Sequence, residues 1–185
     1  MRSEFKPNLE YIEKMFPKIN ELTKKGIKIV LDTTGHDIDF FSENRLQRKM
    51  DIAIENMESE AFKNIEYELE IMINKNMAKY HNINIWFTPD SEYVAFKICL
   101  TDPIKVNNFT KNELSEIVTK IWKRNFLEKE QMNYYVSKFG CNLIYYYKEL
   151  LKINFENYKP EYFEYEKGHF FDDNREEIVN KIWNQ

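Results

Sequence analysis

The sequence predicts an α+β fold: an antiparallel sheet of about four strands, built from two hairpins, packed on one long central helix and followed by C-terminal helices. Three observations lead there. Between Asn44 and Lys79 apolar residues recur at steps of three and four, from Leu46, Met50 and Ile54 to Ile65, Leu69 and Ile73. Two pairs of segments, 27–33 with 37–41 and 83–88 with 92–100, alternate apolar and polar residues around turn formers. Isolated hairpins are marginal in water, so one shared sheet covered by the helix is the economical arrangement.

The elements follow in order. Leu9, Ile12, Phe16, Ile19 and Leu22 predict a first helix over 8–25, with Pro17 kinking or splitting it. Lys24, Lys25 and Gly26 read as its stop. Ile27, Ile29 and Leu31 then point to one side of a strand, Lys28, Val30 and Asp32 to the other, and Thr34-Gly35-His36 turn the chain into a second strand over 37–41. Ser42 is the candidate N-cap of the long helix. At about 1.5 Å per residue that helix is long for a compact domain, so a bend or hidden break is expected. Pro89-Asp90-Ser91 joins the strands of the second hairpin as a type I turn. Thr110-Lys111-Asn112-Glu113 is a capping box that opens a helix through Leu114, Ile117, Val118 and Ile121. Helical spacing continues from Met132 to Leu151, and Ile178, Val179 and Ile182 mark a short terminal helix. The whole chain, 1–185, reads as a single domain, with 110–185 as its mainly helical C-terminal part.

Composition narrows the function classes. Aromatic residues are 16% and hydrophobic residues 43%, which argues against disorder. With 4 Gly there is no glycine-rich phosphate loop, and a net charge of −4 supplies no basic field for direct nucleic-acid binding. No signal peptide and no long apolar span are visible, so a soluble protein of the reducing cytoplasm, without membrane contact, is expected. Cys99 and Cys141 do not form a disulfide framework, and Cys99 reads as a buried free thiol. His36, His81 and His169 are isolated in sequence, with no zinc-ligand spacing.

Two stretches could carry function. In the first, Asp32, His36, Asp37 and Asp39 place three carboxylates and an imidazole within eight residues. On a strand Asp37 and Asp39 share a face, and such a pair can hold Mg²⁺ or Mn²⁺ for phosphoryl transfer or nucleotide processing, with His36 as base or ligand. Asp37-Ile38-Asp39 resembles the aspartate pair of nucleotidyltransferases with a polymerase-β-like site. Thr33-Thr34-Gly35 abuts the pair, however, and leaves no room for the helix that precedes it there, so that family is rejected. The competing reading is a solvated turn.

In the second stretch, Glu156 to Glu177 holds eight acids against three bases, interleaved with aromatic residues. Tyr158, Tyr162, Phe163 and Tyr165, with Glu161, Glu164 and Glu166, form the candidate binding surface; the competing reading packs the rings on the core. Acidic charge favours a basic or nucleic-acid-binding protein partner. Of the adjacent Tyr145, Tyr146 and Tyr147, one is expected to pack inward. The favoured expectation is a small acidic cytoplasmic protein-binding protein, an inhibitor or neutraliser of the toxin-immunity or anti-defence type, with no cofactor. The alternative is the metal-dependent enzyme of the aspartate cluster, and a third possibility is an oligomerising module that uses the long helix as its seam.

Overall fold

The computed structural model describes residues 2–39, 41–123, 138–139, 143–163 and 175–183, and among these there is no strand. The described helices are α1 (Leu9–Val30), α2 (Arg45–Met57), α3 (Glu60–Ile73), α4 (Ile83–Trp86), α5 (Ser91–Cys99), α6 (Lys111–Lys123), α7 (Leu143–Asn154) and α8 (Arg175–Trp183). The α+β expectation is therefore corrected to an all-α fold. No described helix is long and apolar enough to cross a membrane.

Each misread strand has a local reason. The first part of the expected strand, 27–30, is the last turn of α1, which passes through both Pro17 and Gly26, and 31–33 follow it without regular structure. Ile12, Phe16, Ile19, Thr23, Gly26, Ile27 and Val30 form its buried face. Val30, which alternation sets opposite Ile27, is buried with it, as a helical period requires. Pro17 lies on the exposed side, where losing one N–H is least costly. Residues 37–39 and 41 form no second strand.

The second hairpin is α4 and α5. In α5 Val94, Ala95, Phe96, Ile98 and Cys99 are all buried, so neighbours of both parities face the interior. A short apolar run enclosed on most sides is compatible with strand or helix, and periodicity alone cannot separate them. Capping separates them here. Asp90 Oδ1 accepts from the Tyr93 N–H at 3.0 Å, and Thr88 Oγ1 accepts from the Asp90 N–H at 3.2 Å. The expected type I turn is thus the start of a helix.

The long helix is broken as its length suggested. Ser59 leaves the helical region (φ −66°, ψ 150°), and its Oγ accepts from the Phe62 N–H. That ends α2 and caps α3 in one residue. Asn74, in the left-handed region at φ 51°, follows α3. Ser42 is not the N-cap of α2; Asn44 holds that position, without a side-chain cap bond. The capping box of α6 forms as read: Glu113 Oε2 accepts from the Thr110 N–H at 2.8 Å, and Thr110 Oγ1 from the Glu113 N–H at 3.3 Å.

Two compact units result, Met1–Leu9 with Leu100–Gln185, and Glu10–Cys99. In the first, α6 packs on α7 and α8, burying Leu114, Ile117, Leu150, Leu151 and Ile182. Phe5 stacks on Phe109 at 4.5 Å, and Phe109 meets Phe155 edge-on at 4.8 Å. Arg2 pairs with Glu113 at 2.6 Å, tying the N-terminal segment to the capping box.

The second unit closes around Trp86, which is fully buried. Its Nε1–H donates to the Tyr80 carbonyl at 2.9 Å, and its ring meets Phe62 edge-on at 4.9 Å. Gly26 makes room for it: a Cβ there would lie 2.6 Å from Trp86 Cζ3. Asn56 on α2 donates to the Val30 and Asp32 carbonyls, satisfying the end of α1.

Ala is the better helix former by about 1 kcal/mol, but overpacking a tight core costs about 1–3 kcal/mol. Gly26→Ala should therefore destabilise the protein by about 1–2 kcal/mol in urea unfolding. In a Trp86→Leu background, where the obstacle is gone, the same change should be neutral or stabilising. Equal effects in both backgrounds would refute the contact as the reason for the glycine.

Candidate functional site

The chemistry expected of the aspartate cluster requires its side chains to converge. Asp32, Asp37 and Asp39 are exposed and His36 is half-buried, in the segment between α1 and α2. Asp32 Oδ1 accepts from the Thr34 N–H at 2.8 Å, and Asp39 Oδ1 from the Phe41 N–H at 2.9 Å. These are Asx turns, in which a carboxylate folds back on its own backbone. Hydrogen bonding from Thr34, by side chain and then backbone, holds the Asp32 carboxyl below its usual range. Gly35 takes φ +81°, the left-handed turn conformation that favours glycine. The strand that was to align Asp37 with Asp39 is absent. Among the described residues, no three His, Cys, Asp or Glu side chains are placed to hold a metal ion. An open cavity of about 540 Å³ adjoins Asp32, Lys24 and Lys28, and it converges no catalytic set.

The acidic aromatic segment is described as far as residue 163. Tyr165, Glu164 and Glu166 lie outside the described residues. Residues Pro160–Phe163 form one 3-10 turn after α7. Tyr158, Tyr162 and Phe163 are half-buried and Glu161 is exposed. Tyr158 and Phe163 lie ring to ring at 6.1 Å. The Lys148 ammonium sits 5.6 Å from the centre of the Phe163 ring, and that of Lys181 6.0 Å from that of Tyr162. Burial, then the carboxylates of Glu149 and Glu161, push the Tyr158 phenol up to about 12. Of the tyrosine triplet, Tyr146 and Tyr147 pack inward and Tyr145 is exposed, so two rings face the core where one was expected.

The structure also assembles a cluster that sequence reading does not reveal. His81 follows the turn Met77–Lys79, and its Nδ1 lies 2.9 Å from both carboxylate oxygens of Glu66 on α3. Its Nε2 is 3.5 Å from Glu58, which pairs with Lys63 at 2.8 Å. An open cavity of about 530 Å³ adjoins the group. A carboxylate on one ring nitrogen orients an imidazole, as in acid–base sites. The ring also meets the edge of Phe62, itself a neighbour of Trp86, so the contacts fasten the loop after α3 to the core of its unit. Sequence spacing places Glu58 and Glu66 on a solvated helix face; only the break at Ser59 turns them toward one histidine. Compared with protein-family models, curated proteins and solved structures, the chain matches none.

Burial raises the Glu66 carboxyl above its ordinary value near 4.5, against the pull of His81. Folding thus favours its protonated form, and that contribution is full below pH 4.5 and lost as pH rises through the raised value. The urea midpoint of the wild type, relative to Glu66→Gln, should therefore fall on going from about pH 4 to about pH 7. A difference that is flat or rises with pH would remove this assignment. For the aspartate segment, calorimetry with millimolar Mg²⁺ or Mn²⁺ should show no binding heat. A saturable response lost in Asp37→Asn would contradict the Asx-turn reading.

Proposed function

We propose that this chain is a protein-binding module that captures a basic partner on the surface of Tyr158, Tyr162 and Phe163, and that it inhibits or neutralises that partner by covering it. The observation that carries this reading is the half-exposure of three aromatic side chains within six residues, beside the exposed carboxylates of Glu149, Glu156 and Glu161. Aromatic rings with a polar rim are the usual anchors of protein interfaces. These rings already receive ammonium groups from Lys148 and Lys181, and a partner's lysine or arginine offers the same chemistry. The half-buried Tyr158 adds a phenolic hydrogen-bond donor.

The reading is tested with a photo-crosslinking residue at Phe163, introduced in the native host. It should trap one dominant protein of net positive charge, and the same residue at the exposed Glu43 should not. Tyr162→Ala and Glu161→Lys should each reduce that adduct by about tenfold or more while the helical circular dichroism is unchanged. Absence of a Phe163-specific adduct, or an acidic or nucleic-acid product, would overturn the reading.

A further inference from the structure

We propose that the outer face of α3 and the cavity beside it dock a basic peptide segment, which lays an apolar side chain on Tyr67 and Ile71 and sends an arginine into the cavity. The inner side of α3 is spent on the core of its unit, where Phe62, Ile65, Leu69 and Ile73 are buried. Tyr67 and Ile71, one turn apart on the opposite side, are 63% and 64% exposed. Single exposed apolar residues are commonplace, whereas two that adjoin each other and a cavity offer a patch to a partner.

Charge specifies the occupant. The open cavity of about 530 Å³ is lined by Tyr67 together with Glu58, Glu66 and Glu70. Its two basic groups are committed: Lys63 lies 2.8 Å from Glu58, and His81 Nδ1 lies 2.9 Å from Glu66. Glu70 is half-buried and Glu68, one turn before Ile71, is exposed; neither has a cationic partner among the described residues. After burial, the causes that raise the Glu66 carboxyl are the charges of Glu58 and Glu70. Three acids thus crowd one cavity, and a cation entering it relieves their repulsion. An acidic segment would add to that repulsion, and a second copy of α3 would set glutamates against glutamates. Arginine suits the cavity better than lysine. Its planar fork bonds two carboxylate oxygens at once, and its face stacks on an aromatic ring. Glu70 follows Tyr67 by three positions, so carboxylate and ring adjoin on the helix surface. The site lies within residues 10–99, in the unit that does not hold Tyr158, and does not depend on the function proposed above.

Fluorescence anisotropy of a fluorescein-labelled, alanine-based peptide with arginine and leucine one helical turn apart tests this on the full chain, from about 1 to about 500 µM protein. The expected result is saturable binding with a Kd of about 10–100 µM for so small a surface, weakened by added salt. Replacing the peptide's arginine by lysine, or its leucine by serine, should each weaken binding by about fivefold or more. Glu70→Lys and Tyr67→Ala should each weaken it by about tenfold. Glu43→Lys, the same charge change at an exposed residue before α2, should alter it by less than about twofold. Unfolding curves check the fold, and Glu70→Gln, which keeps the shape of the side chain, should still lose about fivefold. Absence of saturable binding overturns the proposal. So does equal affinity for the lysine or serine peptide, or a loss on Glu43→Lys as large as that on Glu70→Lys.

Discussion

Residues 10–99 depend on one close approach, the Trp86 indole against the backbone of α1 at Gly26. The contact is tight because a hydrogen bond holds the ring from the other side: Nε1–H is committed to the Tyr80 carbonyl, so the indole cannot swing away without orphaning a buried donor. Phe62 supports one ring edge, which fixes the distance between α3 and α4. A glycine in mid-helix is costly in isolation; here it is the condition for burying the largest side chain of the unit.

Polar side chains settle where the helices begin and end. Ser59 starts α3, Asp90 caps the first turn of α5, and Asn56 collects the last carbonyls near the end of α1. Thr23 donates to the Ser91 carbonyl, and Ser91 to Asn20 Oδ1, which joins the middle of α1 to the start of α5. These joints keep the helices short and give them separate directions. They also place His81 between two carboxylates that one continuous helix would have left on its solvated face.

What was legible in the sequence was whatever short-range chemistry decides. The Thr110 box and the apolar face of the first helix rest on residues within a turn of one another, and the need for a break before Lys79 follows from helix length alone. Gly26 was misread as a stop because its reason lies in Trp86, 60 residues later in the chain. The 92–100 run was misread because a strand in a sheet and a short helix enclosed by neighbours ask for the same composition. The aspartates of 32–39 looked like a cation site because sequence shows their number and not their direction; each Asx turn spends an oxygen on its own backbone. For the proposed binding surface the aromatic residues were visible in advance, while their half-exposure depends on α7 and α8, whose lysines lie over two of the rings.

Cys99 ends α5 inside the same unit, wholly enclosed, with its thiol pushed up to about 12 by burial. At neutral pH it is neither ionised nor reachable, so an alkylating reagent registers only the moments when the surrounding helices part. With Cys141 replaced, this sulfur becomes a built-in chronometer. Its slow capture counts the excursions of residues 10–99 away from the native arrangement, under conditions in which no denaturant is present.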